Sequence, residues 1–226
     1  MPRGFKQQTC YMCEKHATTR EHAPCKSFFP ENFDPVTGIN YRRNLITVPS
    51  CTEHNASKSE DDEYLLFIIL SAGANAIARR LFSTKVMHAL SERTYLVGLI
   101  TRDMIPAFYN GTPTMAFTVD HGRFTNSTIH LARALYYYHY HKKWLERIEV
   151  YSPALLQRGG LEAQSMNAAN EWISRVTEKL FQRFPQYGDN SRIFYYNIHR
   201  DKEAKQISIR MVFYEGIVIV AVSSLL

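Results

Sequence analysis

The sequence predicts an α+β chain that opens on a small metal-nucleated ββα unit, and two observations carry that expectation. The first is cysteine and histidine spacing: Cys10 and Cys13 form a Cys-x-x-Cys pair, and Cys51-x-x-His54 repeats the i, i+3 step far downstream. Two such pairs are how a chain gathers four soft ligands into a tetrahedron around zinc. The second is periodicity, which is turn-rich and short-stranded up to about residue 59, helical to about residue 109, and mixed beyond that.

Within the first segment Pro24, Pro30, Pro35 and Gly38 forbid a long helix, while 44–48 reads as a brief strand. A helix from about Cys51 to Ser59 places His54, Asn55 and Lys58 on adjacent turns. Ser59-Glu-Asp-Asp62 resembles a capping box with an acidic first turn, so a long helix is expected over 61–80. A second follows over 84–109, breaking near Pro106, and Asn110-Gly-Thr-Pro113 is the expected turn and boundary.

Past the turn, 114–120 and 147–151 read as strands on either side of a helix over 126–144, with Ile129, Ala132 and Tyr136 on one stripe. An amphipathic helix over 164–184 stops at Pro185 and Gly188. Three strand candidates follow, 192–198, 206–214 and 217–223, with Glu215-Gly216 as a hairpin turn. The expected organisation is a zinc-stabilised unit over 1–60, a helical connector over 61–110, and a small α+β domain with antiparallel strands over 111–226. The aromatic run from Tyr136 to Trp144 reads as core packing, and its His139 and His141 point to different faces.

Composition narrows the partners. With 45% apolar residues in a chain of 226 there is enough to bury a core. The longest apolar run, Tyr64 to Ala72, is far short of the roughly 20 residues that span a bilayer, so no membrane partner is expected. The first residues lack the apolar centre of a signal peptide, and so few cysteines suit a reducing compartment where thiols bind zinc; a cytoplasmic protein is expected. A net charge of +6 permits a polyanionic partner, and Lys15, Arg20, Lys26, Arg42, Arg43 and Lys58 place much of it in the Cys/His segment.

Cys10-x-x-Cys13, Glu21-His22-x-Pro24, Asn44-Leu45 and Cys51-x-x-His54-Asn55-x-x-Lys58 together resemble the HNH endonucleases of the zinc-containing ββα-metal class, over about residues 8 to 60. The resemblance implies a structural zinc, His22 as general base, and Glu21 and Asn55 as ligands of a catalytic Mg²⁺ or Mn²⁺. Asn44 would hold His22 in position, and Arg42, Arg43 and Lys58 would contact phosphates, with DNA the expected nucleic acid. His54 stands where the family has a cysteine, which leaves two assignments. Either His54 completes the zinc site, preferred because its spacing repeats that of the first pair, or His54 faces the catalytic metal and Cys25 completes the zinc. The C-terminal domain is expected to position substrate or to join subunits into a homo-oligomer. The competing expectation is a zinc-stabilised nucleic-acid-binding or interaction module that does not cleave.

Overall fold

Prolines and turn residues leave the first fifty residues only short extended stretches, and a computed structural model pairs them. It describes residues 8–31, 33–34, 37–56, 59–92, 98, 104–109, 112–157 and 159–223. β1 (Thr19–His22) runs antiparallel to β2 (Thr47–Ser50), with Glu21 opposite Val48 and His22 opposite Thr47. α1 (Thr52–Ala56) follows directly. The strand expected at 44–48 therefore starts three residues later. Asn44 is held at φ 54°, a left-handed conformation that closes the preceding turn, so extended chain begins only beyond it. Pro49 lacks an N–H, which a strand of a two-stranded sheet tolerates, and its carbonyl accepts from the Tyr11 N–H at 2.9 Å.

The helix expected over 61–80 is two helices, α2 (Ser59–Ser71) and α3 (Ala76–Glu92). Gly73, at φ 57°, takes the left-handed position that ends α2, and its N–H donates to Leu70 O at 3.0 Å. Asn75 then caps α3, its Oδ1 accepting from Ala78 N at 2.9 Å. The expected helix over 84–109 is also corrected, because 105–109 is extended. β3 (Ile105–Tyr109) pairs antiparallel with β4 (Thr112–Ala116), the strand expected at 114–120. Pro106 suits this two-stranded ladder, where one side of each strand makes no ladder bond. The turn residues Asn110 and Gly111 lie outside the described residues.

α4 (His121–Tyr140) begins five residues earlier than its apolar stripe suggests, because Asp120 caps it by accepting from Arg123 N at 3.1 Å. α4 packs on α2 and reaches β2 on one side and the C-terminal sheet on the other. That sheet comprises β5 (Ile148–Tyr151), β6 (Phe194–Asp201), β7 (Gln206–Phe213) and β8 (Ile217–Ser223), in the order β5-β8-β7-β6 and antiparallel throughout. α5 (Leu161–Phe181) lies against it. Between β7 and β8 the consecutive left-handed residues Tyr214 and Glu215 form the type of turn whose twist matches a hairpin.

One apolar core joins the two ends of the chain. The Phe28 ring lies 5.4 Å from that of Phe213, and the buried Tyr214 hydroxyl donates to Phe28 O at 2.6 Å. Tyr136 and Trp144 are both buried, as the aromatic run suggests, with rings 5.7 Å apart. Among the described residues no helix is long and apolar enough to cross a membrane.

His139 sits half-buried among Tyr140, Tyr187 and Tyr196, with its Nδ1 3.3 Å from the Tyr196 hydroxyl. Burial holds its imidazole below the ordinary histidine value. A depressed histidine contributes stability that is fully present above the unfolded value of about 6.5 and is lost as pH falls through and below it. The melting temperature is expected to drop between neutral and mildly acidic pH, and to drop less in His139→Phe. Equal drops in the two proteins would remove His139 from the explanation.

Candidate metal centre

The knuckle around Cys10 is a short hairpin. Thr9 bridges His16, Cys10 N donates to Lys15 O at 2.9 Å, and Met12 N donates to the Cys10 sulfur at 3.4 Å. Tyr11 N to Pro49 O and Thr18 N to Ser50 O, at 2.9 and 3.0 Å, lay this hairpin along β2. Cys51 follows β2 at once, and its carbonyl accepts from Asn55 N at 3.1 Å as the first bond of α1. His54 therefore returns one turn later toward the same sulfurs.

The four ligand atoms of Cys10, Cys13, Cys51 and His54 all lie within 4.8 Å of one another. His54 Nδ1 is 3.5 Å from the Cys10 sulfur, 3.5 Å from that of Cys13 and 3.2 Å from that of Cys51, and the Cys13 and Cys51 sulfurs are 4.0 Å apart. A tetrahedron with Zn–S near 2.3 Å and Zn–N near 2.0–2.1 Å has S···N edges of about 3.5 Å and S···S edges of about 3.8 Å. The cluster fits a metal ion such as zinc. Cys25 is not one of the four, and its sulfur instead accepts from Ser27 Oγ at 3.3 Å. No disulfide links the four cysteines. Burial pushes the Cys10 thiol up, but the N–H groups of Met12, Cys51 and Cys13 aimed at its sulfur outweigh this and hold it below the ordinary value, whereas burial and the neighbouring Cys10 charge push the Cys13 thiol up.

The cluster is braced from outside. Lys143, in the loop after α4, donates to Cys13 O and Glu14 Oε1, both at 2.7 Å, and Lys15 pairs with Glu53 across the knuckle.

The remaining expected site residues separate onto different surfaces. Thr19 and Glu21 share one face of β1, and Arg20 and His22 take the other by the alternation of a strand. Glu21 is only 4% exposed, and its Oε1 accepts from the Tyr11 hydroxyl at 2.9 Å. Asn55 Nδ2 donates to Thr19 Oγ1 at 3.2 Å, so Asn55 reaches Glu21's face of the strand. His22 is half-buried on the opposite face, where burial first, and then the charges of Lys26 and Arg42, hold its imidazole below the ordinary value. Arg20, Lys26 and Arg43 are exposed.

Asn44 does not lie on the strand behind His22. Its Nδ2 donates to Asp189 Oδ2 at 2.8 Å, tying the turn to the loop before β6. Asn190 Nδ2 likewise donates to Arg43 O at 3.4 Å. Arg42 is engaged within the protein, its Nε donating to Phe29 O at 3.0 Å and its guanidinium pairing with Glu31 at 3.1 Å. Lys58 lies outside the described residues.

Two contributors were not singled out by the sequence. Tyr11, between the first two cysteines, is 1% exposed and links the knuckle to Glu21. Burial, and next the adjacent Glu21 carboxylate, push its phenol well above the ordinary tyrosine value, so it stays a donor. Asp62, read in the sequence as a helix-dipole residue, is buried and its charge also acts on Tyr11. Its neighbour Asp61 accepts from Arg123 Nε at 2.8 Å and fastens α2 to the start of α4. An aromatic inside a knuckle was a visible signal for Tyr11. Nothing local marked Asp62.

Tyr11→Phe keeps every sulfur ligand and removes one hydrogen bond from a buried carboxylate. Such a loss costs about 1–3 kcal/mol. Urea denaturation is expected to show that loss with an unchanged metal content, and an unaltered midpoint would contradict the role given to the hydroxyl.

Comparison with protein-family models, with curated proteins and with solved structures found no match to this chain.

Proposed function

We propose that this chain is a metal-dependent HNH-type endonuclease that hydrolyses phosphodiester bonds in DNA, with zinc on Cys10, Cys13, Cys51 and His54 as the clamp of a ββα-metal unit. The observation that carries this reading is the coupling of the Cys/His cluster to β1. A metal on the four ligands would fix the knuckle to α1, and β1 between them presents a half-buried His22 beside the charges of Lys26 and Arg42.

An imidazole held below its ordinary value is neutral near pH 7, as a base that takes a proton from water must be. Lys26, whose charge acts on His22, and Arg20, on the same face of β1, are exposed and can engage phosphates. Arg42, bonded to Phe29 O and Glu31, shapes that face from behind. Asn44 acts at one remove, fixing the turn before β2 against Asp189. Glu21 and Asn55, which the resemblance assigns to Mg²⁺ or Mn²⁺, lie on the face of β1 opposite His22, and Glu21 is buried and bonded to Tyr11, so this pair does not fit a catalytic cation beside that base.

A second reading, a zinc-stabilised nucleic-acid-binding module without cleavage, is favoured by one observation. Glu21 is buried and engaged by Tyr11, a structural use for a carboxylate. Incubation of zinc-loaded protein with supercoiled plasmid, with and without added Mg²⁺ or Mn²⁺, separates the two. Cation-dependent nicked or linear product is expected, and intact plasmid under conditions where a gel shift shows it fully bound would establish the second reading.

A further inference from the structure

α5 has two faces. Ala163, Thr177 and Phe181 turn inward and are buried against the sheet. On the outer side Leu161, Trp172, Val176 and Leu180 are 82, 65, 42 and 39% exposed, with exposed Ala168 and Ala169 between them. Residues 161, 168, 172, 176 and 180 follow steps of seven and four, which line one stripe of a helix. Single exposed apolar residues are ordinary, but a stripe running the length of a 21-residue helix marks a contact surface.

The charges beside the stripe identify what covers it. Glu162 stands in the first turn and Lys179 in the last, with Arg183 exposed just beyond. That polarity suits the helix's own dipole, and it also makes the helix complementary to a copy of itself laid antiparallel. We propose that the outer face of α5 is the contact of a homodimer, two copies of α5 packing antiparallel about a two-fold axis between Asn170 and Glu171. In this register Leu161 of one copy meets Leu180 of the other, Glu162 meets Lys179, and Trp172 meets Ala169. Each indole then lies over a side chain of one methyl group, the large-against-small fit that lets two helices approach. A parallel pair would instead set Glu162 beside Glu162 and Lys179 beside Lys179.

At about 1.5 Å per residue the helix pair is about 30 Å long, a contact at the small end for specific interfaces, so the dimer is weak and exchanges at micromolar concentration. The proposal concerns assembly and is independent of whether the chain cleaves DNA. Sedimentation of the full chain across micromolar concentrations is expected to show reversible dimerisation. The accompanying blue shift in emission comes from Trp172, since the chain's other tryptophan, Trp144, is already buried.

Trp172→Asp is expected to be monomeric throughout, with the circular dichroism of the wild type. Glu162→Lys and Lys179→Glu, each placing like charges together twice across the axis, are each expected to weaken the dimer about tenfold. The two changes combined are expected to restore it. A wild type that stays monomeric would hand the stripe to a different partner and overturn the proposal. So would a dimer that survives Trp172→Asp, or a double variant as weak as its parents.

Discussion

Cys51→Ser is expected to abolish metal binding at the cluster and to melt the N-terminal part of the protein. Cys51 is 4% exposed, it is the residue at which β2 becomes α1, and its sulfur lies 3.2 Å from His54 Nδ1 and 4.0 Å from the Cys13 sulfur. Structural zinc contributes about 10–16 kcal/mol of apparent binding energy in small zinc domains, a figure that exceeds the net stability of most domains. The secondary structure around it is slight. β1 and β2 are four residues each, and α1 is five, too short to persist alone. The loss should spread, because Phe28 and Tyr214 bind this segment to the C-terminal sheet. Chelation of the wild type should reproduce the effect, read as loss of ellipticity and a lowered melting temperature, and zinc should reverse it. Cys25→Ser, outside the cluster, should bind metal as the wild type does. A Cys51→Ser protein that kept its metal and its melting temperature would contradict the arrangement.

The second large effect concerns His22. If His22 takes the proton of the attacking water, His22→Ala should lower the cleavage rate by about 10²–10⁴, the usual contribution of a positioned general base. The substitution removes a half-buried ring at the end of β1, touches no sulfur, and should leave metal content and melting temperature close to those of the wild type. Single-turnover cleavage of plasmid measures the chemical step apart from binding. Cleavage unaffected by His22→Ala would exclude the imidazole as the base, and the proposed chemistry with it.

How much of this was legible in the sequence follows from the range of the interactions that decide each feature. The Cys/His cluster was readable because i, i+3 spacing on a knuckle and on a helix is local geometry, and the four residues it identified are the four that come together. His54 rather than Cys25 was favoured by the same local argument, and Cys25 sits beside Ser27 instead. The C-terminal strands were readable because their alternation and hairpin turn are local too. The helices of the connector were misread where an apolar run from Leu65 to Leu70 outweighed the stop at Gly73 and the restart at Asn75, although both residues carried the signal.

Asn44 illustrates the opposite case. Its partner, Asp189, is 145 residues away, and no spacing rule reaches that far. Arg42, read as a phosphate contact, is taken up by Phe29 O and Glu31, partners that the irregular chain between them brings back to it. The face of β1 to which each side chain belongs was implicit in the alternation of Thr19, Arg20, Glu21 and His22. It acquires meaning only once Tyr11 fixes Glu21 inward.

X-ray absorption at the zinc edge of the purified protein measures the coordination sphere directly. The arrangement of Cys10, Cys13, Cys51 and His54 requires three sulfur scatterers at about 2.3 Å and one nitrogen at about 2.0–2.1 Å, with the nitrogen contribution lost in His54→Ala. A four-sulfur shell would bring Cys25 into the site and free His54, and a shell of oxygen and nitrogen alone would remove the clamp from which the whole reading is built.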